Sequence, residues 1–569
     1  MVDYVYRGNL SASQFPLVAS YQGRSVVIPG PDQNYIRGLQ APEGQLINEN
    51  DKGIPQIAYA HNVMPSPEGF QSVTLTQQVA AGIGPPTDLS ILYPVNDMPP
   101  AGGPIPVPVY IAYSRILGTM MRLEQIAGVW TWSAVTVTGG LTPTLANTIS
   151  ITSAMVNGVT YFLLNPVSTA FAWADQCRTW LWNTNTFGAA PLVGTATAFG
   201  ALRIRGNASC FGYHILWNEN VIAWSSTTNP LDFTPSLVSG AGFGSIEGAR
   251  GAVVAVVPHQ LGLIIYTTAN AVAAIYTGNA RYPFQFKEIT GVGGMPDYIP
   301  SGSLDGAQEV ISNDPNTNSQ YAYTSSGLQQ LGINAIINVL PDITNFIAGR
   351  TFEDFNTTTH LFTRTAITTP MWKKINTVAD RYLIISYGVA SAGIEPVFTH
   401  ALIYDIITKR LGKIKFTHTY AFPLLNTAAV SLALPAVSTG ARYQIAFMTG
   451  AGVVATVNFD TNASTLSDSV IMLGKFQHIR DNLISIEQLE LENVVNVTFT
   501  DIWMYSPIDG KTGIFSTSVI PDHYTNTKVA GGDLGAWYMH KTAMNHTIVI
   551  IGSFYLTSIL LTYHIASKR

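Results

Sequence analysis

The stretch "ASCFGYHILWNENVIAWSS", residues 208–226, has apolar runs of strand length on both sides of the polar turn Asn218-Glu219-Asn220. Turn residues of this kind favour a reversal of the chain, so the runs should lie side by side as antiparallel strands. Residues 251–277, "GAVVAVVPHQLGLIIYTTANAVAAIYT", repeat the arrangement. Together the two stretches predict hairpins that follow one another along the chain.

The same alternation of apolar runs and polar turns extends from residue 105 to about residue 475, for example in "VPVYIAYS" (107–114) and "RYLIISYG" (381–388). Successive antiparallel strands must bury one face and protect their edges, and a radial array of small sheets does both. We therefore predict a mainly β fold, a β-propeller of about six or seven blades. A series of β-sandwiches is the alternative, because the sequence carries no WD or kelch repeat signature.

The two ends of the chain differ from this middle region. Residues 1–104 are rich in Pro and Gly, which separate short extended pieces that could wrap a neighbour. Residues 476–569 contain further strand-like runs that indicate a second β domain. We expect an N-terminal segment 1–104, a propeller region 105–475 with inserted loops that could form a tip, and a C-terminal β domain 476–569.

Helix signals are sparse. The best is "PDITNFIAGRTFEDF", residues 341–355, where Asp342 can cap the first turn and Ile343, Phe346 and Ile347 share one face. This pattern predicts a short helix in a connection.

The C-terminal run "TIVIIGSFYLTSILLTYHI", residues 547–565, contains no Asp, Glu, Lys or Arg and approaches the length of a membrane span. It is also rich in β-branched and aromatic residues, and Gly552-Ser553 interrupts it near the middle. Two strands joined at this dipeptide fit the pattern better than a spanning helix does. A C-terminal membrane anchor is the alternative.

Charge is scarce in the chain. Charged residues make up 11% of the sequence, against roughly 25% in an ordinary soluble protein. Because solubility of an isolated chain usually depends on charge, we expect much of the surface to be covered by partners in an oligomer. The formal net charge of −5 does not indicate a nucleic-acid clamp. Only two cysteines occur, too few for a disulfide framework.

Motifs for chemistry are absent or incomplete. The Gly-rich segment 239–248, "SGAGFGSIEG", lacks the Gly-Lys-Ser/Thr ending of a phosphate loop and the G-x-G-x-x-G spacing, which predicts a flexible loop. The histidines are scattered, without an H-E-x-x-H pair or a Cys/His cluster. Carboxylate pairs such as Glu353-Asp354 and Glu490 with Glu492 leave acid–base chemistry of the glycosidase type open. We predict no catalysis, no cofactor and no metal site.

Two segments carry a resemblance, "HNVMPSPEGFQSV" (61–73) and "NVIAWSSTTNPLDFTPS" (220–236). Here the chain resembles the tail nozzle proteins of short-tailed bacteriophages, also called tail tubular protein B or DNA-stabilisation proteins. The C-terminal run also looks like the closing strands of that family. Gln71-Ser72 stand where the family usually has an Arg after the early Gly. The matching positions are Asn62, Pro65, Gly69, Trp224, Ser225, Pro230, Asp232 and Phe233.

The resemblance implies a virion tail subunit without enzymatic activity. It implies a homohexameric tube below the portal and the tail adaptor ring, with propellers around a central channel, a platform made from both chain ends, and a distal tip that meets the host envelope. The implied partners also include tail fibres or spikes. Such tubes hold packaged double-stranded DNA and pass it during ejection without sequence-specific binding. The positions of a channel gate are unknown.

The low charge of the sequence is compatible with close packing of like subunits in a closed ring. A neutral or acidic channel wall would repel phosphate at short range and so would not grip the DNA. An alternative function is a propeller-based protein that binds or degrades glycans, on a tail or another surface. A surface protein anchored in a membrane through its C-terminal run is a further alternative.

Overall fold

The structure is a computed structural model, and it describes the chain in segments. The described residues are 3–9, 17–21, 24–28, 57–65, 70–79, 89–95, 109–114, 119–126, 129–135, 149–156, 159–166, 178–181, 186–187, 192–200, 204–293, 303–304, 307–311, 320–324, 327–330, 351–356, 358–366, 371–377, 382–389, 397–405, 410–425, 443–449, 451–459, 469–473, 482–492, 500–506, 521–524, 535–543, 546–556 and 558–568.

The chain is mainly β, built from many small antiparallel sheets and one larger sheet that nearly closes into a barrel. In the first eighty residues the described strands are β1 (Asp3–Asn9), β2 (Leu17–Tyr21), β3 (Arg24–Ile28), β4 (Ile57–His61), β5 (Val63–Pro65) and β6 (Phe70–Val79).

The next part of the chain forms strands that pair with their neighbours in sequence. These elements are β7 (Leu89–Val95), β8 (Val109–Ser114), β9 (Thr119–Ile126), β10 (Val129–Val135), β11 (Ile149–Val156), β12 (Val159–Pro166), β13 (Arg178–Leu181), β14 (Thr186–Phe187), the helix α1 (Thr195–Phe199), β15 (Gly206–Cys210), β16 (Tyr213–Trp217), β17 (Val221–Trp224), β18 (Gly242–Ser245), β19 (Val253–His259), β20 (Gly262–Thr267), β21 (Asn270–Tyr276), β22 (Phe284–Gly293), β23 (Ser303–Leu304), β24 (Ala307–Ile311), β25 (Gln320–Thr324) and β26 (Gly327–Gln330).

In the rest of the chain, several strands pair with strands from the first eighty residues. Its elements are β27 (Thr351–Asn356), β28 (Leu361–Ala366), β29 (Met371–Thr377), β30 (Tyr382–Val389), β31 (Phe398–Asp405), β32 (Arg410–His418), β33 (Tyr420–Leu425), β34 (Tyr443–Met448), β35 (Val454–Phe459), β36 (Val470–Leu473), β37 (Asn482–Glu492), β38 (Thr500–Tyr505), β39 (Asp522–Tyr524), β40 (Gly535–Ala543), β41 (Thr547–Gly552), β42 (Tyr555–Leu556) and β43 (Ser558–Lys568).

Within the described residues, β7 to β26 form five four-stranded antiparallel sheets in succession. The polar turn read from the sequence forms as expected, because the Asn218 side-chain oxygen accepts hydrogen bonds from the backbone N–H groups of Asn220 and Val221. The first strands of four consecutive sheets, β7, β11, β15 and β19, lie next to one another. The sheets β15–β18 and β19–β22 share an apolar core that includes Ile215, Trp217 and Leu263.

Strands from both chain ends share one six-stranded sheet, in the order β3-β2-β1-β43-β37-β40. A nearly closed sheet follows the order β29-β30-β31-β32-β5-β6-β35-β34-β33, and its terminal strands β29 and β33 lie close together. Its interior is apolar, with Ile403, Ile414 and Phe447 fully buried. A five-stranded sheet has the order β39-β38-β41-β36-β4.

Two predictions from the sequence concern the C-terminal run and the segment 341–355. The C-terminal run forms β41, β42 and β43, so the expectation of strands rather than a spanning helix is confirmed. The described residues contain no helix with the length and apolar character of a membrane span. The helix predicted for 341–355 is wrong for residues 351–355, which begin β27; residues 341–350 lie outside the described residues.

The flexible loop predicted for the Gly-rich segment 239–248 is wrong for its central residues, because Gly242–Ser245 form the edge strand β18. Strand pairing crosses the expected regional boundaries. β7 pairs with β8 across residue 104, and β36 pairs with β41 across residue 475. The division into 1–104, 105–475 and 476–569 stays a prediction, but hydrogen bonds couple these regions directly.

Candidate functional site

The first motif segment folds into a buried junction around Asn62. Asn62 has a backbone φ of 51°, in the left-handed region that Asn tolerates better than most residues. Its side-chain oxygen accepts a hydrogen bond from Lys415 N at 3.0 Å. Its carbonyl accepts hydrogen bonds from Val73 N at 2.9 Å and from Ser469 Oγ at 2.7 Å. One residue between β4 and β5 thus connects β6, β32 and the segment before β36.

Ser72 extends the junction to the C-terminal segment. Its hydroxyl donates to the Phe554 carbonyl at 3.1 Å and accepts a hydrogen bond from Phe554 N at 3.0 Å. Both residues are buried. The small Ser72 hydroxyl suits this closed position. We call Asn62, Ser72, Lys415, Ser469 and Phe554 the Asn62 junction.

The other early motif residues lie beside the junction. Pro65 ends β5 and pairs with Phe70 of β6, while Gly69 lies outside the described residues. β32 approaches β5 so closely that a Cβ on Gly412 would meet the Val63 carbonyl oxygen at 2.4 Å. Gly412, which the sequence reading did not single out, is therefore required for this contact.

The second motif segment forms a connector that leads out of β17. The Trp224 indole donates to the Gly240 carbonyl at 3.0 Å. The fully buried Ser225 hydroxyl accepts a hydrogen bond from His214 N at 2.9 Å. The chain then turns through Pro230, and Asp232 accepts a hydrogen bond from Thr234 N at 2.9 Å.

Phe233 anchors this connector to the neighbouring sheet. Its side chain is fully buried and packs in a cluster with Leu163 of β12, Phe199 of α1 and Leu216 of β16. Val193, just before α1, bridges to Asp232 in parallel orientation. The structure thus brings Trp224, Ser225, Pro230, Asp232 and Phe233 into one segment, and their contacts are structural. We call residues 224–234 the connector.

Polar residues that could suggest catalysis are buried in supporting positions. Ser386 Oγ and His418 Nε2 lie 2.8 Å apart, but both side chains are closed to solvent, so a substrate cannot reach them. Burial lowers the pKa of His214 to about 4. Burial likewise raises the pKa of the Cys210 thiol to about 12, which disfavours the nucleophilic thiolate.

The carboxylate pairs and metal motifs offer no assembled centre within the described residues. Glu490 accepts a hydrogen bond from the Gln488 side-chain amide, and the side chains of Glu353, Asp354 and Glu492 lie outside what the structure describes. Across the described part of the chain, no group of three or more His, Cys, Asp or Glu side chains could hold a metal ion.

A stack of three rings is the cluster that the sequence reading missed. Trp503 of β38 stacks on both His360 and His523, with ring centroids 3.9 Å and 4.4 Å away and nearly parallel planes. His523 is the cross-strand partner of Trp503, and its Nε2 lies 3.4 Å from an oxygen of Asp501. The Tyr505 hydroxyl donates to the His360 carbonyl. We call His360, Trp503 and His523 the ring stack.

The ring stack joins the β27–β28 hairpin to the five-stranded sheet. His360 ends the hairpin turn with a φ of 55°, and its N–H donates to the Asn356 carbonyl. Burial lowers the pKa of His360, the nearby His523 lowers it further, and Asp501 opposes the shift. No sequence motif links residues so far apart, so only the folded arrangement reveals the cluster.

Comparison with known proteins gives no family. No family model and no curated protein matches the chain. Among solved structures, Hsv2 from Kluyvelomyces marxianus has a TM-score of 0.28 at 6% identity, covering 56% of this chain and 76% of that chain. Apo AztD from Citrobacter koseri has a TM-score of 0.24 at 8% identity, covering 73% and 96%. The N-terminal domain of Nup159 has a TM-score of 0.23 at 7% identity, covering 55% and 89%.

Proposed function

We propose that the chain is a structural subunit of a viral tail nozzle. In this proposal, several copies form a closed tube that retains packaged double-stranded DNA and conducts it into the host. The tube joins a tail adaptor ring at one end, carries fibres or spikes, and meets the host envelope at its tip. The subunit count of six rests on the resemblance of the two motif segments.

The finer fold belongs to the same proposal. We propose that β7 to β26 are blades of a β-propeller with about six or seven blades in all. Support comes from the neighbouring positions of β7, β11, β15 and β19, because the first strand of each blade lies nearest the axis of a propeller. The hairpin β27–β28 follows the five four-stranded sheets and would belong to a further blade.

The observation that carries the proposal is the position of the motif residues in the fold, within the Asn62 junction and the connector. Asn62 joins segments more than 300 residues apart through the Asn62 junction, and Phe233 packs the connector against a neighbouring sheet. A subunit that must keep its shape while DNA passes needs such internal ties. The six-stranded sheet that combines both chain ends supports a platform of the kind the resemblance implies.

The charge of the chain fits a conduit better than a DNA clamp. Each copy carries a formal net charge of −5, so a ring of copies would repel phosphate at distances within the Debye length, about 8–10 Å at ordinary salt. The proposal therefore predicts a channel wall that is neutral or acidic. Stacked rings of Lys and Arg along the channel would contradict it.

The mass of the purified full-length protein tests the proposal. Native mass spectrometry should find a single closed species of about six copies at micromolar concentration. An assay for polysaccharide cleavage on the same sample should show no turnover. A single-copy species that cleaves polysaccharide would overturn the proposal in favour of a glycan-degrading propeller.

A further inference from the structure

Three turns come together at one end of the sheets β15–β18 and β19–β22. They are the β15–β16 turn at Phe211 and Gly212, the turn 236–240 before β18, and the β21–β22 turn at 277–283. The Phe211 ring stacks on Tyr276 with centroids 4.5 Å apart. A Cβ on Gly240 would lie 3.7 Å from Ala280, so the second and third turns are in contact. The turns form one continuous surface.

Large apolar side chains point outward from this surface. Val238 is 98% exposed, Leu237 72%, Tyr282 61% and Phe211 49%. Most exposed hydrophobic residues on a protein are scattered singly, whereas these four share one end of two sheets. We call Phe211, Leu237, Val238 and Tyr282 the turn surface.

The backbone holds these side chains outward. In the turn 236–240, Ser236 Oγ accepts hydrogen bonds from Val238 N at 3.2 Å and Ser239 N at 3.4 Å, and Gly240 N donates to the Ser236 carbonyl. In the turn 277–283, Asn279 Oδ1 accepts a hydrogen bond from Arg281 N at 2.9 Å. The apolar tips are therefore presented by ordered turns.

Phe211 occupies a backbone conformation that disfavours it. Its φ is 48°, and Gly212 follows with a φ of 81°. Asn, Asp or Gly usually occupies the first of these positions in a two-residue turn, because a larger side chain is strained there. The Phe211 ring stacks on Tyr276 and is still half-exposed, so part of its apolar area faces outward from a strained tip.

The charges at the two ends of these sheets differ. The opposite end carries the ion pairs Arg205–Glu219 and Arg250–Glu288. The three turns contain no Asp or Glu, and their only charged residue is Arg281, whose guanidinium lies 5.4 Å from the centre of the Tyr282 ring. The turn surface thus combines two aliphatic side chains with two aromatic rings, and the cation of Arg281 lies beside it.

We propose that the turn surface inserts into the headgroup region of a lipid bilayer. Its four side chains offer on the order of 400 Å² of apolar area, below the roughly 800 Å² per partner that a specific protein interface buries. Protruding side chains can enter the fluid interface of a bilayer, because a bilayer needs no pocket of matching shape. Tyr and Arg are both favourable at headgroup level, where the ring is partly buried and the guanidinium meets phosphate.

Flotation of the full-length protein with lipid vesicles tests the inference. The probe is vesicles of equal parts phosphatidylethanolamine and phosphatidylglycerol, with phosphatidylcholine vesicles beside them. The wild-type protein should float with both kinds of vesicle. The double variant Leu237→Ser, Val238→Ser should lose about tenfold or more in vesicle partition, because each lost aliphatic side chain removes buried apolar area.

Phe211→Asn provides a second variant that should fold well, since Asn suits the left-handed conformation. It should weaken vesicle binding by about threefold to tenfold. Tyr538→Ser, at an exposed aromatic residue on β40, is the matched control and should bind as the wild type does.

Two results would overturn the inference. One is a wild-type protein that does not float with either vesicle. The other is a double variant that floats as the wild type does; if that variant also assembles differently in sedimentation, the turn surface is a contact between copies. Vesicle binding and ring formation are measured separately. A protein that does not bind vesicles would leave the tail-tube proposal unchanged, and a protein that forms no ring would leave the lipid inference unchanged.

Discussion

At the scale of single residues, the sequence indicated which positions matter but not what they contact. Asn62 and Phe233 belong to short sequence motifs, and both occupy buried positions with structural partners. The partners Lys415 and Ser469 are more than 300 residues away along the chain. Local patterns indicate a turn, whereas a hydrogen bond between such distant segments depends on the whole fold.

Asn62→Ala should destabilise the protein by about 2–4 kcal/mol, because it leaves Lys415 N without this acceptor and places Ala in a left-handed conformation. Asn62→Gly keeps the backbone conformation and loses only the side-chain hydrogen bond, so its effect should be smaller. Urea unfolding of the purified variants measures both differences. Equal stability of wild type and Asn62→Ala would show that the Asn62 junction is unimportant.

Gly194 holds the connector against the segment before α1. Its φ is +82°, and a Cβ there would meet Thr234 N at 2.3 Å. Gly194→Ala should therefore cost about 1–3 kcal/mol more than Gly278→Ala, since Gly278 has a φ of +74° and open space around it. Thermal unfolding of the two variants isolates the effect of the clash, because Gly194 and Gly278 have similar φ values. Similar melting temperatures would contradict the contact between the connector and α1.

At the scale of elements, alternation and turn chemistry identified strands well. The hairpins within 208–226 and the C-terminal strands followed directly from apolar runs and turn residues. The Gly-rich strand β18 was missed because an edge strand pairs through its backbone, and glycine does not prevent that pairing. Part of the expected helix at 341–355 is β27, because its pairing with β28 outweighs a weak helical pattern.

The ring stack gives the β27–β28 hairpin a pH dependence. The pKa of His360 is lowered in the docked hairpin, so a released hairpin binds protons more strongly. Docking is fully stable above the ordinary pKa of about 6.5 and weakens as the pH falls below it. The charged or titratable groups described around the stack include Asp501, His523, Asp522, Lys541 and Tyr505.

Hydrogen exchange in residues 351–366 should therefore accelerate between about pH 7.5 and about pH 5.5 beyond its intrinsic change. His360→Asn should remove most of this extra dependence and still suit the left-handed turn. His540→Asn, at an exposed histidine with a φ of 47°, is the matched control and should behave as the wild type. An unchanged pH profile in His360→Asn would contradict the role of the ring stack.

At the scale of the whole molecule, the pairing of the chain ends makes the C-terminal strands part of the fold. β43 lies between β1 and β37, and β41 is buried between β36 and β38. A chain that ends at residue 545 should fail to fold and should aggregate, because it exposes strand edges and an apolar core. Circular dichroism and sedimentation measure this. A soluble, fully folded truncated chain would contradict it.

The small share of charged residues is the feature of the sequence that predicts assembly. Contacts between copies involve residues of two chains, so they do not follow from the fold of one chain. The order of strands in the nearly closed sheet could not be predicted either, because β5 and β6 join strands that follow more than 300 residues later. Composition and periodicity describe the elements. Their closure into sheets depends on contacts that are distant in sequence.

The central claim is that copies of this chain form a closed conduit. Electron microscopy of the purified full-length protein tests it most directly, through averaged images viewed along the symmetry axis. The account predicts a ring of about six equivalent subunits around an open centre wide enough for a DNA duplex. Images of separate single particles, or of assemblies with a filled centre, would contradict it.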